Sequence, residues 1–203
     1  DNEKYEAEFI ADQLKSLKLK NRIPIKEFGV LVRTNSLTRS IEEAFIVNHI
    51  PYRVSGGMSF FQRKEVKDII AYLRVIANPD DDVNLLRIIN IPKRGIGKKS
   101  IEYISEVATE QSCSIFSAIT AIRHAEDAEV KKKIKTEIID FLNMIEYYRQ
   151  KFFSKKKMAE TLKGLIDHID YWGYLVQEYK KGNTARWKYL NVEGVVNSLA
   201  DFE

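Results

Sequence analysis

Apolar positions near the start of the chain recur at helical spacing. Phe9, Ile10, Leu14 and Leu17 lie along one side of a helix predicted from about Glu3 to Lys20. Asn21 to Glu27 is polar and contains Pro24, so it reads as a connection. Phe28-Gly29-Val30-Leu31-Val32 is a continuous apolar run of strand length, the pattern of a strand covered on both faces. Ser36 or Thr38 can cap the next helix, which carries Ile41, Ala44, Phe45 and Val47. Pro51-Tyr52-Arg53-Val54 reads as a second short strand, and Gly56-Gly57 breaks the pattern. Helix, strand, helix, strand is the order of an α/β sheet. Two strands are too few to stand alone, so either a longer chain completes the sheet or the segment is marginal.

After Gly57 the period changes to that of helices alone. Glu65 to Ala77 places Val66, Ile69, Ile70, Leu73 and Ile76 on one face. Asn78-Pro79-Asp80 stops it, Asp82 opens a helix carrying Leu85, Leu86, Ile88 and Ile89, and Pro92 ends that one. Further helices are predicted over Lys98–Gln111, Ser114–Ile122, Glu126–Phe153, Met158–Ile169, Tyr171–Tyr179 and Ala185–Ala200. The long one carries Ile134, Ile138, Phe141, Leu142, Ile145 and Tyr148 near heptad spacing. The expected fold is mostly α: an incomplete α/β segment of about two strands, followed by an all-helical domain.

Composition narrows the class. The 203 residues are 44% hydrophobic and 31% charged, which suits a globular chain and excludes a disordered one. Cys113 is the single cysteine, so no internal disulfide can form, and a reducing compartment is expected. His49, His124 and His168 are scattered, and no metal site is expected. No apolar run approaches the roughly 20 residues that span a bilayer. The opening Asp1-Asn2-Glu3-Lys4 is acidic, resembles no signal peptide and lacks an initiator Met, so the sequence is expected to be cut from something longer. The net charge of +4 is mild, so the placement of cations matters more than their sum.

Four constellations carry candidate chemistry. In Pro92-Lys93-Arg94-Gly95-Ile96-Gly97-Lys98-Lys99-Ser100, two glycines bracket one apolar residue between helices, with four cations around them. Such a turn can bring backbone N–H groups and lysines to a DNA phosphate without reading bases. Its plainer reading is a helix–helix turn with solvated cations. Arg33 follows the first predicted strand, where ligands of α/β sheets bind and a guanidinium can reach a phosphate; its plainer reading is a surface arginine at a strand end. In the stretch Gly56 to Asp68, Phe60 and Phe61 suit a base-stacking platform or ordinary core packing. The runs Lys131–Lys133 and Lys155–Lys157 suit solvated helix ends or weak DNA attraction. Gly97-Lys98-Lys99-Ser100 imitates the tail of a phosphate-binding loop, but the motif needs Ser or Thr where Lys99 stands and glycine where Pro92 stands. With no acidic residue closing an apolar strand either, no hydrolysis site is complete in this sequence.

Val30-Leu31-Val32-Arg33-Thr34-Asn35, Gly56 to Asp68, Ala71 to Asp82 and Ile88-Ile89-Asn90-Ile91-Pro92-Lys93-Arg94-Gly95-Ile96-Gly97 together resemble the UvrD/PcrA/Rep superfamily 1 helicases, densely from about residue 28 to 100. The resemblance implies two RecA-like motor domains, 1A and 2A, with helical insertions 1B and 2B. On that frame, residues 1–77 are the first, incomplete RecA-like α/β segment of 2A, and 78–203 are a helical region running into 2B, the boundary lying between 78 and 125. It implies ATP and Mg in the full-length parent, none bound to this piece, and no hydrolysis by the piece alone. Arg33 falls on the arginine that contacts the γ-phosphate from across the cleft, with Thr34 and Asn35 beside it. Close relatives often carry a tyrosine that stacks on adenine where Val32 stands, and valine offers no aromatic ring for that stacking. Lys93, Arg94, Gly95, Ile96, Gly97, Lys98 and Lys99 are carried as DNA contacts, Lys98 and Lys99 on local charge alone. Gly57, Phe60, Phe61 and Arg63 are assigned to the path between the ATP cleft and single strand. The implied partners are single-stranded DNA with a duplex junction and the remaining domains of the same chain, with no membrane, in a bacterial cytoplasm at the nucleoid. The implied activity is 3′ to 5′ translocation with unwinding. A non-enzymatic DNA-binding module and a regulatory protein-interaction domain remain open as alternatives.

Overall fold

The computed structural model describes residues 2–34, 37–125, 136–154, 157–180 and 182–203. Residues Asp1–Arg63 and Lys64–Glu203 form two compact units.

In the first unit, α1 (Asn2–Asn21) packs on α2 (Thr38–Val47). Ala7, Ala11 and Leu14 repeat at helical spacing and meet Ala44, Phe45 and Ile50, with Ile10, Ile25, Phe28, Ile41 and Tyr52 closing the edges. Alanine lets the two helix axes approach, so the buried stripe runs through small residues. The larger apolar residues expected to form this face do not all do so: Phe9 stays 63% exposed and Leu17 39%. Glu42 is buried on α2. Its carboxylate accepts from Tyr52 Oη at 3.0 Å, from Ser59 Oγ and from the Phe60 backbone N–H at 3.0 Å. One carboxylate thus ties two otherwise irregular segments to the helix, and each of those donors would be costly to leave unpaired. The Tyr52 hydroxyl is pushed up by burial and by that carboxylate.

The two expected strands, Phe28–Val32 and Pro51–Val54, are not formed, and no strand occurs among the described residues. The backbone leaves a 3₁₀ turn at Ile25–Glu27 in extended geometry at Phe28 (φ −92°, ψ 143°). Extension alone makes no strand; a ladder partner is needed. Phe28 reaches the core, but Leu31 is fully exposed at 101%, so the run has neither a ladder nor a second covered face. A second 3₁₀ turn at Phe60–Gln62 was also not expected from the sequence.

The second unit is helical among its described residues: α3 (Lys64–Ala77), α4 (Asp82–Ile88), α5 (Lys98–Glu110), α6 (Ile115–His124), α7 (Thr136–Phe153), α8 (Met158–His168), α9 (Tyr171–Glu178) and α10 (Gly182–Ala200). Helix α3 is central and packs against α4, α7 and α10. Val66, Ile69, Tyr72, Val75 and Ile76 bury its inner face. The expected start of the long helix at Glu126, with Ile134, falls outside the described residues.

Two carboxylates of α3 are buried and both are paired. Asp68 takes Arg87 through Nε at 2.8 Å and Nη2 at 2.6 Å, and Tyr171 Oη at 3.0 Å. Burial and the Asp68 charge push the Tyr171 hydroxyl far up. Glu65 accepts from Lys188 at 2.8 Å and Asn191 at 2.7 Å, joining α3 to α10. Burial pushes Glu65 up, but the bonds from Lys188, a backbone N–H and Asn191 outweigh it and hold the carboxyl below the usual glutamate range. The acidic run after α3 is also structural. Asp81 caps α4 by accepting from Asn84 N–H at 3.1 Å, Asp80 takes Ser114 Oγ at 2.5 Å, and Asp82 accepts from Ile115 N–H at 2.9 Å at the start of α6. No helix of the described residues is long and apolar enough to cross a membrane.

Candidate nucleic-acid interface

The basic turn is built from the end of α4 forward. After Ile88 and Ile89 the chain leaves the helix, and Asn90 holds the exit together. Its Oδ1 accepts from the Arg94 backbone N–H at 2.7 Å and its Nδ2 donates to the Ile96 carbonyl at 3.1 Å. Gly95 sits at φ +70°, a left-handed conformation that glycine takes without the clash of a Cβ. Ile96 is only 3% exposed, so its side chain anchors the turn and faces no ligand. Burying such a side chain contributes about 1.5–3 kcal/mol.

Gly97 is the N-cap of α5 in extended geometry (φ −79°, ψ 157°), and no side chain caps the helix. The first N–H groups of a helix have no intrahelical acceptor and carry the positive end of its dipole. Around them stand Lys93, Lys98 and Lys99, all exposed. Lys93 is 3.6 Å from Glu178 with its side chain 77% exposed, and Lys98 is 3.3 Å from Glu102. Exposed pairs of this kind contribute little, roughly 0–1 kcal/mol, and give way readily to another anion.

Arg94 behaves differently. Its Nη1 donates to the carbonyls of Ile88 at 3.0 Å, Ile89 at 3.2 Å and Pro92 at 3.3 Å, and its Nη2 donates to Tyr72 Oη at 2.5 Å. The guanidinium also lies over the Phe141 ring at 4.9 Å. Burial pushes the Tyr72 hydroxyl up to about 12, with the neighbouring Arg94 charge opposing the rise. Nothing in the sequence separates Arg94 from the lysines beside it; only its contacts with Tyr72 of α3 and Phe141 of α7 do.

The other predicted residues lie in the first unit. Arg33 and Thr34 are exposed just after the extended Phe28–Val32 run, and Asn35 lies outside the described residues. Among the described residues, Arg33 has no carboxylate or hydrogen-bond partner. Val32 is half-buried. Gly57 is exposed in the loop before the 3₁₀ turn. Phe60 is 3% exposed, flanked by the guanidinium groups of Arg39 at 5.7 Å and Arg63 at 5.6 Å and edge-on to Phe61 at 5.1 Å. Its ring is thus committed to packing, and only the half-buried Phe61 keeps a partly open face. The lysine runs at 131–133 and 155–156 fall outside the described residues; Lys157 pairs with Glu160 at 2.9 Å.

A cleft of about 710 Å³ lies elsewhere in the second unit, lined by Asp167, Asp170, Trp172, Arg186, Tyr189 and Glu193 among others. Three carboxylates against one arginine make it a poor surface for phosphate, and none of the predicted residues lines it. No group of three or more His, Cys, Asp or Glu among the described residues is placed to hold a metal ion.

The sequence profile of the UvrD-like helicase C-terminal domain matches residues 1–203. The chain is 34% identical over 201 residues to a probable DNA helicase II homolog of Rickettsia conorii, covering 99% of this chain and 30% of that protein. It is 38% identical over 203 residues to the ATP-dependent DNA helicase PcrA of Staphylococcus aureus, covering 99% of this chain and 27% of the relative. It is 33% identical over 202 residues to the ATP-dependent DNA helicase Rep of Salmonella typhimurium, covering 98% and 29%. The chain therefore spans less than a third of the length of these curated relatives.

Proposed function

The chain belongs to the UvrD-like helicase C-terminal domain family, and from that premise we propose that it is a portion of an ATP-dependent DNA helicase that moves 3′ to 5′ on single-stranded DNA and unwinds duplex. Residues 1–77 supply the first segment of RecA-like motor domain 2A, whose sheet the rest of the parent completes. Residues 78–203 run into helical insertion 2B, the boundary lying between 78 and 125. The parent works in the cytoplasm on DNA with a single-strand/duplex junction. The observation that supports this reading most is the family match along the whole chain.

Two surfaces carry the roles. The turn at 93–99 grips the phosphate backbone through exposed lysines and the uncapped first turn of α5, a contact that positions the protein without reading sequence. Arg33, with Thr34 and Asn35 beside it, serves the nucleotide. In the parent, bound ATP with Mg²⁺ supplies the γ-phosphoryl group whose transfer to water drives the cycle. Arg33 fits that group because its exposed guanidinium has no partner among the described residues. It places positive charge where negative charge develops. Val32 supplies no aromatic face, so adenine is held from elsewhere. Gly57, Phe60, Phe61 and Arg63 link the nucleotide side to the single-strand path, Phe60 by packing and Phe61 through its open edge. The 203-residue chain alone carries no phosphate-binding loop and hydrolyses no ATP.

The test is Arg33→Ala in a parent chain holding both motor domains. DNA-stimulated ATPase and unwinding should fall by ~10³-fold or more, the usual contribution of such an arginine, while DNA affinity is retained. Near-normal turnover would remove Arg33 from the nucleotide site.

A further inference from the structure

This inference rests on the reading of the 93–99 turn as a phosphate-gripping surface and divides the labour within it. We propose that Arg94 touches no DNA and is instead a positioning residue: with Asn90 and Tyr72 it fixes the turn, so that Lys93, Lys98, Lys99 and the first N–H groups of α5 meet phosphates as one surface.

The case is geometric. A guanidinium grips a phosphate by offering two parallel N–H groups from one edge. In Arg94, Nη1 is shared among the carbonyls of Ile88, Ile89 and Pro92, and Nη2 is taken by Tyr72 Oη. The carbonyls of Ile88 and Ile89 belong to the end of α4, where acceptors have no partner within the helix. Swinging Arg94 outward would take its donor from the Ile89 carbonyl, leave Ile88 with only the Ile91 N–H at 3.0 Å, and lift its charge off the Phe141 ring. Asn90 completes the lock from the other side by holding the Arg94 N–H and the Ile96 carbonyl. The lysines show the opposite pattern: all three are exposed, and Lys93 and Lys98 sit in loose pairs with Glu178 and Glu102. Because Arg94 works through the shape of its fork, lysine cannot replace it.

Salt dependence separates the two roles. A cation that touches a phosphate displaces counterions and contributes about 0.9 to the log–log slope of affinity against salt; a positioning residue does not. The 203-residue chain is titrated with a 3′-tailed duplex across a salt series, well below the melting temperature of each variant. Arg94→Gln, Arg94→Lys and the uncharged Asn90→Ala should each weaken binding at fixed salt by about tenfold, with the wild-type slope. Lys99→Gln should lower the slope by about 0.9. A slope drop of that size in Arg94→Gln, or near-wild-type affinity in Arg94→Lys, overturns the proposal while leaving the phosphate-gripping turn intact. If the Arg94 variants do not fold, Asn90→Ala decides: weakened binding with an unchanged slope supports the lock, and wild-type affinity overturns it. Wild-type binding that is absent or indifferent to salt overturns the reading of the turn, and this inference with it.

Discussion

In residues Lys64–Glu203, α3 is closed in by α4, α7 and α10, and both of its buried carboxylates have cationic partners, Asp68 with Arg87 and Glu65 with Lys188. In residues Asp1–Arg63, two helices close on a stripe that includes Ala7, Ala11 and Ala44, and among the described residues the one buried carboxylate, Glu42, takes neutral donors. The helical unit pairs both buried carboxylates of α3 with cations of its own. Among the described residues, the Asp1–Arg63 unit leaves the extended runs at 28–32 and 51–54 without a ladder and Leu31 fully exposed. In the proposed parent that segment is one part of a larger sheet, whereas the helical unit carries its own core. The contrast also separates two kinds of arginine: Arg87 and Arg94 bond within the helical unit, and Arg33 is exposed just after the extended 28–32 run.

The largest expected effect comes from breaking a buried ion pair. Arg87→Met leaves Asp68 charged, buried and short of its cation, at a cost of about 3–5 kcal/mol. Urea unfolding followed by Trp172 and Trp187 fluorescence should show it; a loss under 1 kcal/mol would mean that the helical unit does not depend on that pair. Glu42→Ala strands three neutral donors and no charge, costing about 1–3 kcal/mol. Amide exchange should quicken at Tyr52 and Phe60 while α3 keeps its protection. Equal loosening of α3 would contradict the separation of the two units.

The Glu65 carboxyl, held low in the folded chain, makes the comparison depend on pH. A depressed folded pKa stabilises fully above the unfolded value of about 4.3, and the contribution is lost as pH falls through the folded value. Lys188→Met removes the main partner, so the acid unfolding of the helical unit should begin at a higher pH than in wild type. An identical acid limb would show that Lys188 does not set the Glu65 equilibrium. The smallest effect is Leu31→Ser, expected to change stability by under about 0.5 kcal/mol because the side chain is fully exposed. A larger loss would mean that the Phe28–Val32 run is covered after all.

Much of the helical unit was legible because its buried faces are made of large apolar residues at helical spacing, as Val66, Ile69 and Ile76 show on α3. The α1 face was misread because Ala7 and Ala11 carry little hydrophobic signal and Phe9 carries much, yet close helix packing selects the smaller residue. The strands failed for a different reason: pairing is non-local, and an apolar run cannot report whether a partner exists. In the candidate site, glycines and lysines at 93–99 announced a basic turn. The inward role of Arg94 was invisible, since it depends on Tyr72 and Phe141, which are distant in sequence. Buried carboxylates at Glu42, Glu65 and Asp68 were hidden likewise, because charge in a sequence reads as surface.

The most direct test of the central claim is binding of the 203-residue chain to a 3′-tailed duplex across a salt series, beside a variant with Lys93, Lys98 and Lys99 changed to glutamine. Three phosphate contacts would make wild-type affinity fall steeply with salt, and the variant's log–log slope should be shallower by up to roughly 2.7. Binding that is absent, or a slope unchanged in the variant, would contradict the assignment of the Lys93–Lys99 turn as the surface through which this part of the helicase holds DNA.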